Sequence, residues 1–227
     1  MNFLSHYYFD RNQSPEFVLG IALPDMIGDF SKDYNRVFKN FELTNSFSKP
    51  AIDLILGVHK HYKLDAIFHN APLFHKHCAL LKEELQNSPI KGKIPRLFIV
   101  VHILVELLLD KYLIMKNTNI IDDYYRKLAQ SDVTMINEVY TAIPALNHRL
   151  DFVLKRINQF KEFEFLRLYS EEKNILIALQ KITLFHFPWT LNKAEDLILL
   201  NCIETYYYSN CELEFFSIFD YLTNQLY

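Results

Sequence analysis

The chain has few glycines and no paired cysteines. Only four of its 227 residues are glycine, which argues against a Rossmann fold, a P-loop and a turn-rich all-β fold, because each needs glycine at special backbone positions. The three cysteines, Cys78, Cys202 and Cys211, are odd in number and form no CxxC motif. This pattern favours a reducing, cytoplasmic compartment over a secreted disulfide framework.

The sequence also lacks a strong charge and a long apolar run. Its formal net charge is -3, so there is no basic field to attract nucleic acid. The longest apolar run, 97–109, is interrupted by His102 and Glu106 and is too short and polar to span a bilayer. The first residues, MNFLSHYYFDRN, do not resemble a signal peptide. We therefore expect a cytoplasmic protein that binds neither nucleic acid nor membranes.

Apolar residues recur three and four positions apart along most of the chain, which predicts an all-α fold. A polar and aromatic segment, 33–48, predicts a loop with one short helix. Thr190-Leu191-Asn192 offers capping side chains for a helix that begins at Lys193. No repeat or linker composition is present, so we expect one helical bundle covering residues 1–227. The predicted helices cover 58–68, 73–86, 97–113, 145–165, 171–185, 193–208 and 213–226, with one or two further helices over 120–142.

Histidines are concentrated in the first half of the chain, where seven of the nine precede position 103. Within the predicted helices, His61 stands four residues before Asp65, and His102 stands four residues before Glu106. On a helix, such residues share a face with their Cβ atoms about 5–6 Å apart. Both side chains can then reach one divalent cation, which binds imidazole and carboxylate together.

Each pair also has an interpretation without a metal. A buried Glu106 needs a compensating charge, but an arginine or a protonated His102 could provide it as well as an ion could. His61 and Asp65 could lie on a solvated helix face. His69, which follows Asp65 by four positions, would extend the same face as a further ligand or as a contact to a substrate phosphate.

The N-terminal segment adds His6 and Asp25 to these candidates. Gly20 and Pro24 suggest a turn that presents Asp25 at the end of a helix. Asp29, four residues further on, is the alternative acid. A lone histidine or aspartate is usually structural. His6 and Asp25 are therefore candidates only as additions to the histidines and acids already named.

The motifs resemble the acyl carrier protein phosphodiesterases, which are similar to the all-helical HD-type metal-dependent phosphohydrolases. The start MNFLSH matches a family start of the type MNFLAHL. Asp25, or Asp29, matches an aspartate that follows a glycine in the family. His59, His61 and Asp65 match a His-x-His-x-x-x-Asp helix.

The last matching motif departs from the family pattern. The family has aspartates where this chain has His102 and Glu106, and a histidine where it has Leu107. The match covers roughly residues 1–113. These departures indicate a divergent branch whose substrate can differ from that of the family.

The resemblance implies an HD-like bundle and a manganese-dependent phosphodiesterase that removes 4′-phosphopantetheine from acyl carrier protein, with iron or zinc as the other candidate ions. One carboxylate, Asp65 or Glu106, would orient or deprotonate the attacking water. The expected metal shell comprises His6, Asp25, His61, Asp65, His102 and Glu106. The expected substrate contacts are His69, His77, Lys60 and Lys63, the lysines because carrier proteins are acidic.

Two other classes of function stay open. The loss of the family histidine at Leu107 favours a non-catalytic helical module that binds metal or another protein. Tyr206, Tyr207 and Tyr208 with Phe215 and Phe216 could belong to a partner surface, although core packing is the more common use of such residues. A metal-storing or metal-sensing protein without turnover is the third hypothesis.

Overall fold

The computed structural model describes residues 1–27, 47–143, 148–184 and 187–226. This part of the chain contains eleven α-helices and no strand, which confirms the predicted all-α fold. A 3₁₀ helix at Phe165–Ser170 and a π-helical turn at Tyr207–Cys211 join some of them. The helices are α1 Phe3–Tyr7, α2 Pro15–Ile27, α3 Lys49–Phe68, α4 Pro72–Asn87, α5 Leu97–Lys116, α6 Ile120–Gln130, α7 Thr134–Ala142, α8 Leu150–Phe163, α9 Glu172–Leu184, α10 Lys193–Tyr206 and α11 Glu212–Leu226.

Most predicted helices are present, and the differences have local causes. The one or two helices predicted over 120–142 are two helices, α6 and α7, because Ser131 has extended backbone angles and ends α6. Asn192 caps α10 as predicted, and it forms a capping box with Glu195. Asp29 and most of the predicted loop, 33–46, lie outside the described residues. None of the described helices is long and apolar enough to cross a bilayer.

One prediction about the N-terminal segment is wrong. Gly20 and Pro24 do not form a turn, because both lie inside α2. Gly20 instead allows α2 to approach α3 backbone to backbone, opposite Gly57. Asp25 lies near the end of the described part of α2, and its predicted place at a helix end stays a prediction, because residues 28–46 lie outside the described part of the chain.

The chain divides into two compact units, and the prediction of a single domain stays a prediction. The first unit contains Met1, Phe3–Ala66 and Asn119–Phe165. The second contains Asn2, Ile67–Thr118 and Leu166–Tyr227.

In the first unit, α2 packs against α1, α6 and α8 and meets α3 at the two glycines. The hydroxyl of Tyr7, at the end of α1, donates a hydrogen bond to Asp123 on α6. These contacts hold α1, α2 and α3 together, and these are the helices that carry His6, Asp25 and His61.

In the second unit, α5 packs against α4, α9 and α11. Its Lys111 is buried, and the ammonium group donates to the carbonyl oxygen of Ser170 and lies 3.1 Å from Glu172 Oε1. The same nitrogen lies 4.8 Å from the centre of the Tyr207 ring. The charge of a buried lysine is thus compensated from several sides, and the contacts fix α5, which carries His102 and Glu106.

We predict that Gly57→Ala destabilises the protein by about 1–3 kcal/mol, because the added methyl group would clash with the carbonyl oxygen of Phe17 on α2. Helix propensity alone predicts that Gly57→Ala stabilises the protein. Urea unfolding of the wild type and the variant measures the difference. The reverse change at an exposed helical site, Ala79→Gly, gives the propensity effect in this protein. A Gly57→Ala variant more stable than the wild type would contradict the close helix contact.

Candidate metal centres

Two imidazoles and a carboxylate converge in the first unit, and we call this group the first centre. His6 comes from α1, and His61 and Asp65 come from successive turns of α3. Nε2 of His6 lies 3.2 Å from Oδ1 of Asp65, and Nε2 of His61 lies 3.4 Å from Oδ2. The two imidazole rings stack with their centres 4.0 Å apart. His61 and Asp65, the i, i+4 pair predicted from the sequence, therefore meet a third candidate ligand, His6, which comes from a distant segment of the chain.

The backbone fixes the orientation of His61. Its Nδ1 lies 2.9 Å from the carbonyl oxygen of Ile21 on α2, so Nδ1 carries hydrogen and donates it. Nε2 is then the position at which either a proton or a metal ion is favoured. Although burial lowers the pKa of His61, the carboxylates of Asp25 and Asp65 outweigh it and raise this pKa. Histidine ligands of metals are commonly oriented by such a hydrogen bond from the second ring nitrogen.

His6 is fully buried, and neither ring nitrogen makes a well-directed hydrogen bond within the described residues. Burial, together with the charge of the neighbouring His61, lowers the pKa of His6 to about 3. The ring is therefore neutral at physiological pH, as a metal ligand must be. A buried polar side chain without a good partner is unusual, and a cation beside Asp65 would provide one.

Asp65 attracts positive charge in the structure. The amino group of Met1 donates a 2.7 Å hydrogen bond to its Oδ1. Burial would raise the pKa of Asp65, but this ammonium group and the neighbouring imidazoles of His6 and His61 hold it well below its usual value. Asp25 contributes a second carboxylate, with Oδ1 3.8 Å from Nε2 of His61. The donor set and its affinity for a cation fit a divalent metal.

A second group of the same composition occurs in the second unit, and we call it the second centre. Nε2 of His69 and Nε2 of His102 each lie 3.1 Å from Oε1 of Glu106. Burial would raise the pKa of Glu106, but the hydrogen bonds of His102 and His69 lower it, and the pKa lies well below its usual value. Glu106 is therefore ionised, as the metal interpretation requires.

Distances in both centres are compatible with metal ligation. Ligand atoms 2.0–2.1 Å from a tetrahedral ion stand about 3.4 Å apart. The nitrogen–oxygen separations are 3.2 and 3.4 Å in the first centre and 3.1 Å for both pairs in the second. In each centre the three ligand atoms lie within 4.8 Å of one another.

The predicted metal shell of six residues is divided between the two units. His6, Asp25, His61 and Asp65 lie in the first unit, and His102 and Glu106 lie in the second. A shared ion therefore stays a prediction. His69 does not extend the helical face of Asp65, because α3 ends at Phe68; it lies in the following turn, beside Glu106.

Two of the other predicted substrate contacts, Lys60 and His77, have structural partners of their own. Lys60 pairs with Asp10 at 3.6 Å, while Lys63 is exposed. His77 is fully buried, and its Nδ1 lies 2.8 Å from the hydroxyl oxygen of Tyr206, which donates its own hydrogen to the carbonyl oxygen of His77. Contact of these residues with a substrate stays a prediction.

The aromatic residues near the C-terminal end are mostly core residues. Tyr206, Tyr207 and Phe215 are buried, whereas Tyr208 and Phe216 are about half exposed. The expectation of core packing is confirmed for the three buried rings.

Comparison with known proteins adds no relative to this description. No protein-family model, no curated protein and no solved structure matches the chain. The resemblance to the acyl carrier protein phosphodiesterases therefore stays an expectation based on the sequence motifs.

The buried His77 makes the stability depend on pH. Burial lowers its pKa from 6.5 to about 4, with an opposing effect of Glu214 and a smaller lowering effect of Lys76. Between these values the unfolded chain binds more protons than the folded one, so acid favours unfolding. We predict that His77 costs about 1–3 kcal/mol of stability as the pH falls from 6.5 to about 4.

Urea unfolding across this pH range, with the wild type and His77→Gln, measures the effect. The variant should lose less stability on acidification than the wild type, whatever its stability at neutral pH. His75→Gln, at an exposed position on the same helix, should behave like the wild type. Parallel pH profiles of the wild type and His77→Gln would contradict the low pKa of His77.

Proposed function

We propose that the protein is a metal-dependent phosphodiester hydrolase whose ion is held at the first centre by His6, His61 and Asp65. The observation that carries the proposal is the convergence of two imidazoles on one ionised carboxylate, with the tautomer of His61 set by the Ile21 carbonyl. A divalent ion at such a site acts as a Lewis acid on a phosphoryl oxygen and lowers the pKa of bound water.

Each residue of the first centre has a separate task in this proposal. Burial lowers the pKa of His6, so the ring is neutral and the lone pair of its Nε2 is available to bind the ion. Asp65 supplies the negative charge that selects a cation over a neutral ligand. Asp25, near the end of the described part of α2 and 28% exposed, can orient a water molecule or accept its proton, because its carboxylate faces both His61 and solvent. The expected role of Glu106 in activating water stays a prediction.

The donor set indicates the class of ion. Two imidazoles with a carboxylate favour manganese, iron or zinc over calcium, which binds oxygen ligands almost exclusively. Manganese is the ion that the family resemblance implies.

A carrier protein bearing 4′-phosphopantetheine is the substrate that the motifs favour. The exposed Lys63, on α3 between His61 and Asp65, would face an acidic partner more readily than Lys60, whose ammonium group pairs with Asp10. This part of the proposal rests on the sequence motifs and on the charge of one lysine.

One observation favours the non-catalytic alternative. Leu107 is buried and apolar at the position where the family has a histidine. Its side chain can neither bind an ion nor transfer a proton, so a reaction that needs that histidine would be lost. Under this alternative the protein binds metal but does not turn over substrate.

Hydrolysis of bis-p-nitrophenyl phosphate tests the proposal. We predict that wild-type protein stripped with a chelator is inactive and regains activity with Mn²⁺. Asp65→Asn should lower kcat/KM more than about 100-fold, because loss of a ligand should exceed the 10–100-fold cost of removing an outer-shell partner. His75→Gln is the matched control, since His75 is exposed and belongs to neither centre.

Two results would argue against the hydrolase. Activity that survives the chelator would show that no exchangeable metal is needed. Equal activity of the wild type and Asp65→Asn would show that turnover does not depend on the first centre. Metal binding without turnover of either this substrate or a carrier protein would favour the non-catalytic module.

A further inference from the structure

The second centre lies where the turn after α3 meets α5. His69 is in that turn, and His102 and Glu106 stand on successive turns of α5. Both imidazoles direct Nε2 to the same carboxylate oxygen, at 3.1 Å each. We propose that His69, His102 and Glu106 bind a divalent transition-metal ion of their own. The family resemblance assigns His102 and Glu106 to a shell shared with His61 and Asp65, and it has no counterpart of His69.

The donor chemistry specifies the class of ion. Two imidazoles and one glutamate form the ligand set of several catalytic zinc sites, in which the fourth position stays open to water or substrate. Donors of this borderline softness favour zinc, iron or cobalt over magnesium and calcium. With both rings neutral, the three ligands carry a single negative charge, which a divalent ion more than balances.

The surroundings of the second centre suit an exchangeable ion. The side chains of His69 and His102 are 36% and 39% exposed, whereas Glu106 is 16% exposed. An ion can therefore reach the less exposed carboxylate past the two partly exposed rings. The ring of Phe74 lies 5.0 Å from that of His102 and 5.6 Å from that of His69, and this apolar contact restricts both imidazoles.

The competing interpretation is a hydrogen-bonded triad in which both rings donate to Glu106. That arrangement requires a proton on each Nε2, whereas metal binding requires both Nε2 atoms to be unprotonated. The two interpretations therefore differ in whether the protein binds a stoichiometric ion at these residues. Metal stoichiometry distinguishes them without reference to activity.

Titration of chelator-stripped protein with Zn²⁺ against a chromogenic chelator counts the sites. We expect two equivalents for the wild type, and one for Glu106→Gln, which keeps the shape of the side chain but removes its charge. His69→Ala, at a half-exposed turn outside the helices, should also lose one equivalent, and it serves if Glu106→Gln fails to fold. His75→Gln should keep both.

His61→Ala separates this proposal from the hydrolase proposal. It should lose the equivalent of the first centre and keep the one that Glu106→Gln removes. The wild type could instead bind a single equivalent. If Glu106→Gln loses that equivalent and His61→Ala keeps it, the result supports the second centre and argues against the first. If Glu106→Gln and His69→Ala both bind as many equivalents as the wild type, or if the wild type binds none, the proposal is overturned.

Discussion

The arrangement of the first unit depends on keeping Asp65 ionised among packed helices. Its carboxylate is 24% exposed and needs positive or hydrogen-bonding partners, since an uncompensated buried charge costs about 3–5 kcal/mol. Those partners come from two parts of the chain that are far from each other: His6 lies on α1, and His61 lies on α3, four residues before Asp65. The close contact of α2 with α3 adds the carbonyl of Ile21, which orients His61. The packing of three helices and the electrostatics of one carboxylate therefore depend on each other.

The two centres share a composition but differ in their access to solvent. Both imidazoles of the first centre are buried, and both of the second are more than a third exposed. A buried site holds its ligands rigidly, and in the first centre the side chains of Asp25 and Asp65 are more exposed than the two imidazoles. An exposed site exchanges its ion more readily, and its ligands are more easily protonated by solvent. The first centre therefore suits a fixed chemical role, and the second suits a response to the supply of metal.

Helix spacing predicted the local pair in each centre, and only the family motifs added His6 and Asp25 to the first pair. The i, i+4 spacing of His61 with Asp65, and of His102 with Glu106, fixes each pair because helix geometry alone does so. The place of His69 depends on where α3 ends, and Asn70-Ala71-Pro72 carries that signal, since a residue before proline disfavours helix. The role of Gly20 could not be predicted from its sequence neighbours, because a single sequence does not distinguish a glycine in a turn from a glycine at a contact between two helices.

The most direct test of the central claim is anomalous diffraction from a crystal of the protein grown with Mn²⁺ and without chelator. We predict a manganese peak bound by Nε2 of His6, Nε2 of His61 and a carboxylate oxygen of Asp65, at the ligand distances usual for this ion. A well-ordered map in which Asp65 pairs only with the two imidazoles and the amino group of Met1, and no anomalous peak lies beside it, would contradict the claim.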